Sequence, residues 1–558
     1  MASMIGGMIS ARRRSAMASA ALILSAGLAV SGCSTGPGGA NGAQAECAAS
    51  GSSSPAAATS PGSAATSTAT AGWTLPGANL QNTRDVASAI NSSNVSQLGV
   101  AWCVPIAPAN AYATTPVVVN GVVYTQDLLS NVMAISLATG QVLWTHNYDS
   151  RNGGPDGVNV AGRVVYAATD SAAVALDAAT GKQLWSRTLI GNDHEGIDMT
   201  PGYDHGTVYV STVPVNASTG VTYGGGGRAV LWALNARSGA PEWKWDEAQD
   251  LWGHPDINSG GGQWYAPSFD AQGNLYLGVA NPGPLGGVPG YPWGTSRPGP
   301  DLYTDSVVKL SPRGRLLWYY QLTPHDLYDW DLQDPPVLTT AHGRPVVIDG
   351  GKAGILIELD AQTGKLLWKR PVGGHNGHDD DGLLTEGARP ASRLALPGQV
   401  NVEPGAFGGI ETQLASNGST TFTAVNDLPF IYKSESGPYV TSLSALKSAL
   451  VKATGEMVAV NQDTGTVEWD DRLPSTPYGA ATVTNDVVFT TTFSGDLYAF
   501  DAATGKILLR KPLSAGTNAP VTVDGDYVIA GADVAAPSLG RQLIIAYKLG
   551  AKGTLPDA

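Results

Sequence analysis

The sequence predicts an all-β chain, an eight-bladed β-propeller of four-stranded antiparallel blades closed by its N- and C-terminal strands. Three observations predict it. First, one phrase keeps returning: LDAATGKQLW at 176–185, LDAQTGKLLW at 359–368 and FDAATGKILL at 500–509, with weaker copies at 136–144, 235–243, 311–318 and 461–469. Each copy is a hairpin corner, with an Asx or Ser opener, a Gly suited to φ > 0, and a Trp or apolar residue four positions later. Neighbouring corners such as Gly140 and Gly181 lie about 40 residues apart, the length of one blade. Second, the segment 95–106 carries Trp102 without a corner before it, and 542–549 is an apolar strand without a corner after it. Pairing the two completes a blade and leaves no raw edge. Third, the chain holds 70 glycines in 558 residues and only 14 % charged residues, a composition suited to many tight turns and short strands. Seven corners and the split unit give eight blades. The long interval from Gly364 to Gly465 leaves that count open by one.

Residues 1–32 lie outside this array. Arg12, Arg13 and Arg14 precede an apolar run over 16–30 and then Val30-Ser31-Gly32-Cys33, the order of a secretory signal. The ending resembles a bacterial lipobox, which implies cleavage before Cys33 and lipidation of its sulfur. The run is short for a membrane-spanning helix. The chain is thus expected outside the cytoplasm, lipid-anchored to the outer face of the membrane. From 33 to 72 the residues are mostly Gly, Ser, Ala, Thr and Pro, which bury too little surface to fold and predict a flexible stalk. The propeller is expected over 73–550 and a tail over 551–558. Cys47 and Cys103 either pair in an oxidising compartment or stay as two thiols. The sequence has no CxxCH, so no covalently attached haem is expected. A net charge of −14 argues against nucleic acid as a partner.

Within the array the repeat tryptophans are expected to pack blade on blade, as architecture. Chemistry is expected where the repeat lapses, above all over 257–334, because long loops on a rigid scaffold are where sites are built. That stretch contains Gly260-Gly261-Gly262-Gln263-Trp264, Asn281-Pro282-Gly283-Pro284, Gly299-Pro300-Asp301-Leu302-Tyr303-Thr304 and His325-Asp326 with Asp329-Trp330-Asp331.

With the opening Asn82-Thr83-Arg84, the Val100-Ala101-Trp102 strand and the corners, these phrases resemble the quinoprotein alcohol dehydrogenases. Those are eight-bladed propellers that hold pyrroloquinoline quinone (PQQ) beside calcium. The resemblance runs from about Trp73 to Leu549. It implies that Trp264 is the floor under the quinone, that Asn281 ligates calcium, and that Lys352 contacts the quinone oxygens. Arg228, closing the Gly-rich run after Tyr223, is a further candidate cofactor contact. A hard cation on oxygen ligands that polarises a carbonyl is sound chemistry for such a site. The chain departs from the family pattern in four places. Pro300 stands at the catalytic acid position, with Asp301 one residue later. No acid precedes the Gly-x-Arg phrase, no two cysteines are adjacent, and Ala113 replaces a glutamate.

The expected acid set is therefore rearranged, with Asp301 holding calcium beside Asn281 and either Asp301 or Glu411 taking the alcohol proton. Glu411 sits where the family lines its central pocket. The stretch 374–381, with His375, His378, Asp379, Asp380 and Asp381, is either a divalent-metal loop or a solvated acidic one. The function expected is an extracytoplasmic dehydrogenase oxidising an alcohol or other small hydroxylated substrate with PQQ and calcium, passing electrons to an unknown acceptor. The alternative is a lipid-anchored propeller that has lost its cofactor and serves as a binding or assembly platform.

Overall fold

The computed structural model describes residues 47, 72–107, 112–192, 194–216, 221–222, 225–381, 396–438, 443–532 and 541–556. Cys33 and most of the stalk fall outside them. Eight four-stranded antiparallel sheets follow one another around a ring. Blades 1 to 7 span 117–146, 159–188, 202–246, 268–321, 337–371, 415–473 and 482–512. Blade 8 takes three strands from 522–549 and its outermost strand, Leu98–Pro105, from the other end of the chain. The ring thus closes by joining the two terminal strands, as the unmatched halves predicted. Among its described residues the long interval before Gly465 holds no extra blade. It carries a small sheet of Gln399–Val402, Phe430–Lys433 and Gly437–Pro438, and the helix Leu443–Lys452.

The corner phrases are latches between blades. Each corner glycine lies at φ between 64° and 72°, in the left-handed region that its missing Cβ permits. A Cβ on Gly181 would lie 2.5 Å from the Trp144 ring of the preceding blade. The same tryptophan donates its indole N–H to the carbonyl of Ala178 at 3.0 Å. Identical latches join Trp102 to Leu137, Trp185 to Ala236, Trp243 to Pro312, Trp318 to Ala361, Trp368 to Gln462 and Trp469 to Ala502. Blade 7 carries Leu509 where the others carry Trp. The reason is topological. The corner it would grip joins the third and fourth strands of blade 8, and those come from opposite ends of the chain, so no corner exists there. That seam is filled by an apolar cluster including Leu509, Leu513, Val523, Trp73 and Cys47, and a disulfide joins Cys47 to Cys103.

A test follows from this difference. Trp368→Phe is expected to lower stability by about 1 kcal/mol, the net value of one hydrogen bond, whereas Leu509→Trp has no corner carbonyl to reach and is expected to destabilise. Urea midpoints of the two variants check it.

Because strands alternate in direction, the corners all emerge on one face, and every connection of irregular length emerges on the other. The second face, called here the loop face, therefore carries the described parts of 213–229, 247–267, 280–305, 322–336 and 372–414 together. The corner face is plugged at its centre by 73–86. Within it, main-chain bonds reach the inner strands of blades 1, 4, 5, 6 and 7, at Val118, Phe269, Leu338, Ser416 and Val483. Asp85–Val86 adds a parallel strand to blade 7. Arg84, fully buried, donates to the carbonyls of Ala481 and Val521, to Gln413 Oε1 and to Thr482 Oγ1. The Asn-Thr-Arg opening is thus the floor of the central funnel, and Arg84 is its buried cation.

Candidate active site

The site is built where the inner ends of blades 4, 5 and 6 meet the loop face. Lys352 follows the second strand of blade 5, Arg344–Gly351, and is 3 % exposed. Its ammonium is 3.4 Å from Asp329 Oδ2, closer still to Asp331 Oδ2, and 4.8 Å from the centre of the Trp264 ring. Burial pulls the ammonium toward neutrality, but Asp329, Asp331 and Glu411 outweigh it and keep it protonated well above the usual lysine range. Asp331 also accepts the backbone N–H of Asn281 at 2.7 Å, and the Asn281 carbonyl accepts from Gly261. Trp264, Asn281 and Lys352, far apart in the chain, are therefore brought into one constellation, with Asp331 as the joint between the last two.

Glu411 belongs to the same constellation. It is 6 % exposed, its Oε1 has no hydrogen-bond partner, and burial raises its carboxyl to about 8, against the pull of Lys352. The side chain of Gln333 donates to its backbone carbonyl. Asp301 is placed differently. Its carboxylate is fully buried and engaged by the Arg297 guanidinium, with His325 Nδ1 at 3.3 Å. Arg297 in turn donates to the carbonyls of Pro284 and Asp326. His325-Asp326 is likewise built into the framework, for Asp326 accepts the amides of Tyr328 and Trp330. The Arg228 guanidinium is part-exposed and 3.8 Å from Asp246, while its amide is held by Glu195 at 3.2 Å.

In the loop 374–381 the imidazoles do not converge. His375 pairs with Asp379 at 2.9 Å and His378 with Asp381 at 2.8 Å, and Tyr328 donates to Asp381. Among the described residues no three His, Cys, Asp or Glu side chains gather as a ready metal cage, and the side chains of this stretch are engaged in local ion pairs.

The structure adds acids that the sequence reading passed over. Glu247 is fully buried beneath the glycine run before Trp264, where its carboxylate accepts from Ser211 Oγ, Gly262 N and Gln263 Nε2. Burial lifts it to about 7. Asp198 and Asp156 are buried with all four carboxylate oxygens unpartnered. They lie beside each other, since the Asp156 amide meets the Asp198 carbonyl and Thr200 Oγ1 bonds the Asp156 carbonyl. Burial raises Asp198 to about 8, and Asp331 adds to that. Thr200 in turn donates its amide to the Trp264 carbonyl. Asp334, also unpartnered, is pushed up by burial and by Asp349 and Glu411. No spacing rule in the sequence marks Asp156, Asp198 or Glu247.

The pH consequence has a definite sign. Asp198, Glu411 and Glu247 hold protons in the folded chain over a range, about 4 to 8, in which the unfolded chain has released them. Stability is therefore full below about pH 4 for these groups and is lost as the pH rises through their folded values. The urea midpoint of the metal-free protein is expected to fall steadily from pH 5 to pH 8.5. Added Ca²⁺ is expected to raise it more at pH 8 than at pH 5, where protons compete for the same oxygens.

The family profile described as glucose/ethanol/alcohol dehydrogenase, β-propeller domain, matches residues 73–374, just over half of the chain. The chain belongs to the quinoprotein alcohol dehydrogenase family. Members of this family are oxidoreductases, and the present member keeps their propeller. A second profile, that of outer membrane protein assembly factor BamB, matches residues 453–545. Among curated relatives, the quinohemoprotein alcohol dehydrogenase of Comamonas testosteroni is 27 % identical over 81 % of this chain and 70 % of its own length. The putative dehydrogenase XoxF of Paracoccus denitrificans is 27 % identical over 78 % and 82 %. The solved Comamonas testosteroni enzyme superposes with a TM-score of 0.72 over 88 % of this chain and 82 % of that one, at 23 % identity, and shares the fold. A europium-containing methanol dehydrogenase superposes with a TM-score of 0.69 over 86 % and 98 %, at 19 % identity.

Proposed function

We propose that this family member is a quinoprotein dehydrogenase that oxidises an alcohol or another small hydroxylated substrate with PQQ and calcium. It acts outside the cytoplasm on a lipid anchor at Cys33 and hands electrons to an acceptor not identified by its residues. The observation that carries this reading is the Lys352 ammonium, held over the Trp264 ring by two carboxylates. A flat indole face under a fixed cation suits a planar, anionic quinone. The surrounding donors are oxygens, several of them buried and unpartnered, which suits a hard cation. When bound, such a quinone supplies a two-electron acceptor for the carbon that bears the hydroxyl.

The chain's own residues supply position and proton transfer. Trp264 offers a stacking face, and Lys352 fixes the in-plane orientation of an anionic partner. The side-chain oxygen of Asn281 is the first group that would hold calcium, with Asp331 beside it already accepting from the Lys352 ammonium and the Asn281 backbone amide. Asp301 is the other candidate ligand and base, with one carboxylate oxygen engaged by Arg297 and its Oδ1 buried without a partner. Glu411 is the better base, because a carboxyl raised to about 8 with its Oε1 unpartnered both accepts and returns a proton near neutral pH.

The scaffold alternative draws on one observation, the excess of buried carboxyls at Asp156, Asp198 and Asp334, which opposes an anionic cofactor unless protons or a cation neutralise them. One experiment separates the readings. The stalkless body is incubated with PQQ and Ca²⁺, desalted, and examined for quinone absorbance that stays with protein, then for dye reduction with a panel of alcohols. Retained quinone that Trp264→Ala lowers at least tenfold supports the dehydrogenase. Wild-type protein that retains none sinks it.

A further inference from the structure

The stalk has two possible points of grip on the propeller. By chain order it would enter at Trp73, whose amide bonds Asp524 and whose carbonyl accepts from Val118. Asp524 ends the inner strand of blade 8, just before a hairpin on the corner face. A tether entering there would pull on the centre of the corner face and leave the loop face pointing away. The disulfide provides a second point. Cys103 lies near the end of the outermost strand of blade 8, Leu98–Pro105, which runs from the corner face toward the loop face. Cys47 is itself buried, 8 % exposed, in the cluster that fills the blade 7–8 seam.

We propose that the Cys47–Cys103 disulfide moves the grip of the anchored stalk from the centre of the corner face to the rim of blades 7 and 8 beside the loop face, making that rim the surface turned toward the lipid bilayer. This rests on the lipid anchor proposed at Cys33. Cys33 precedes Cys47 by fourteen residues and Trp73 by forty. By chain length and Gly- and Ser-rich composition alone, the root-mean-square span is about 20 Å for the first separation and about 35 Å for the second. The disulfide therefore shortens the leash as well as relocating it. The loop face, which entry at Trp73 would turn away, then lies edge-on to the membrane.

The test uses the full-length lipidated protein on phosphatidylcholine vesicles containing a lipid with a photo-crosslinking headgroup, with crosslinked peptides mapped by mass spectrometry. Wild type is expected to crosslink chiefly through 98–107 and 513–521. Cys47→Ser is expected to lose most of that signal and to gain crosslinks at the corner peptides around Gly140, Gly181 and Gly505. Deleting residues 34–59 restores a short leash but leaves entry at Trp73, so its crosslinks are expected to stay on the corner face. A map like that of wild type would show that length alone matters and would overturn the proposal. A third arm leaves the native fold untouched. A protease site placed within 55–65 is cut on the vesicle, and the body is expected to remain bound through the disulfide with an unchanged map. Release on cutting overturns the proposal. Failure of wild type to bind vesicles at all overturns it through the anchor, and the mass of the N-terminal peptide identifies that cause.

Discussion

Lys352→Met is expected to lower stability by about 3–5 kcal/mol, the cost of breaking a buried ion pair by removing one partner. It is also expected to abolish quinone retention. The stability loss comes from what remains. Asp329 and Asp331 are buried against each other, and both now face the lysine head. Without it two like charges share a low-dielectric site, and at least one carboxyl must take up a proton. The loss should therefore be smaller at pH 5 than at pH 8, because burial already lifts the Asp329 carboxyl toward the neutral form. Lys352→Arg keeps the charge and is expected to retain most of the stability, but a planar fork replaces a point charge above Trp264 and should weaken quinone retention. Urea midpoints at the two pH values, with and without PQQ, measure both effects. A methionine variant as stable as wild type at pH 8 would mean that the lysine is not what holds these acids in place.

The ring was legible in the sequence because it is written as repetition. A corner glycine with a tryptophan four residues on states both the hairpin and its latch, and the lapse at Leu509 has a physical cause in the missing corner of blade 8. The contact between Trp264 and Lys352 was legible only through resemblance, since 88 positions separate them and no periodicity connects them. Asp301 shows where motif reading stops. Its position one residue past Pro300 made it a natural substitute for a catalytic acid, and the fold sets Arg297, four residues earlier, on one of its oxygens while the other is buried without a partner. Nothing in the local phrase shows that this acid is buried beside an arginine. Asp198, Asp156 and Glu247 were invisible for another reason. They are single acids in unrelated connections, and they become neighbours of the site only because a propeller delivers all such connections to one face. The same holds for Arg84, which the sequence presents as part of an opening phrase and the fold uses as the plug of its funnel.

Glu411→Gln is expected to lower kcat by about 10²- to 10⁴-fold, the usual contribution of a positioned general base, while leaving quinone retention close to wild type. Glutamine keeps the shape and one oxygen but cannot accept the alcohol proton. The pH profile gives the sharper readout. A base works in its ionised form, so the wild-type rate should climb with pH toward a limb near or below about 8, shifted downward by any cation bound nearby. The variant should be slow and flat across that range. Stability should move the other way, because the substitution removes a buried carboxyl whose Oε1 has no partner and whose ionisation is opposed by burial and by Asp331. Glu411→Gln is therefore expected to raise the urea midpoint at pH 8 and to change it little at pH 5, the pattern of an active-site acid kept at a cost to stability. Asp301→Asn is the control. Removing that charge strands the buried Arg297, so it should destabilise at every pH without abolishing the alkaline rise in rate. A Glu411→Gln enzyme that keeps the wild-type pH profile would remove Glu411 from the reaction and return the search for the base to the acids around Lys352.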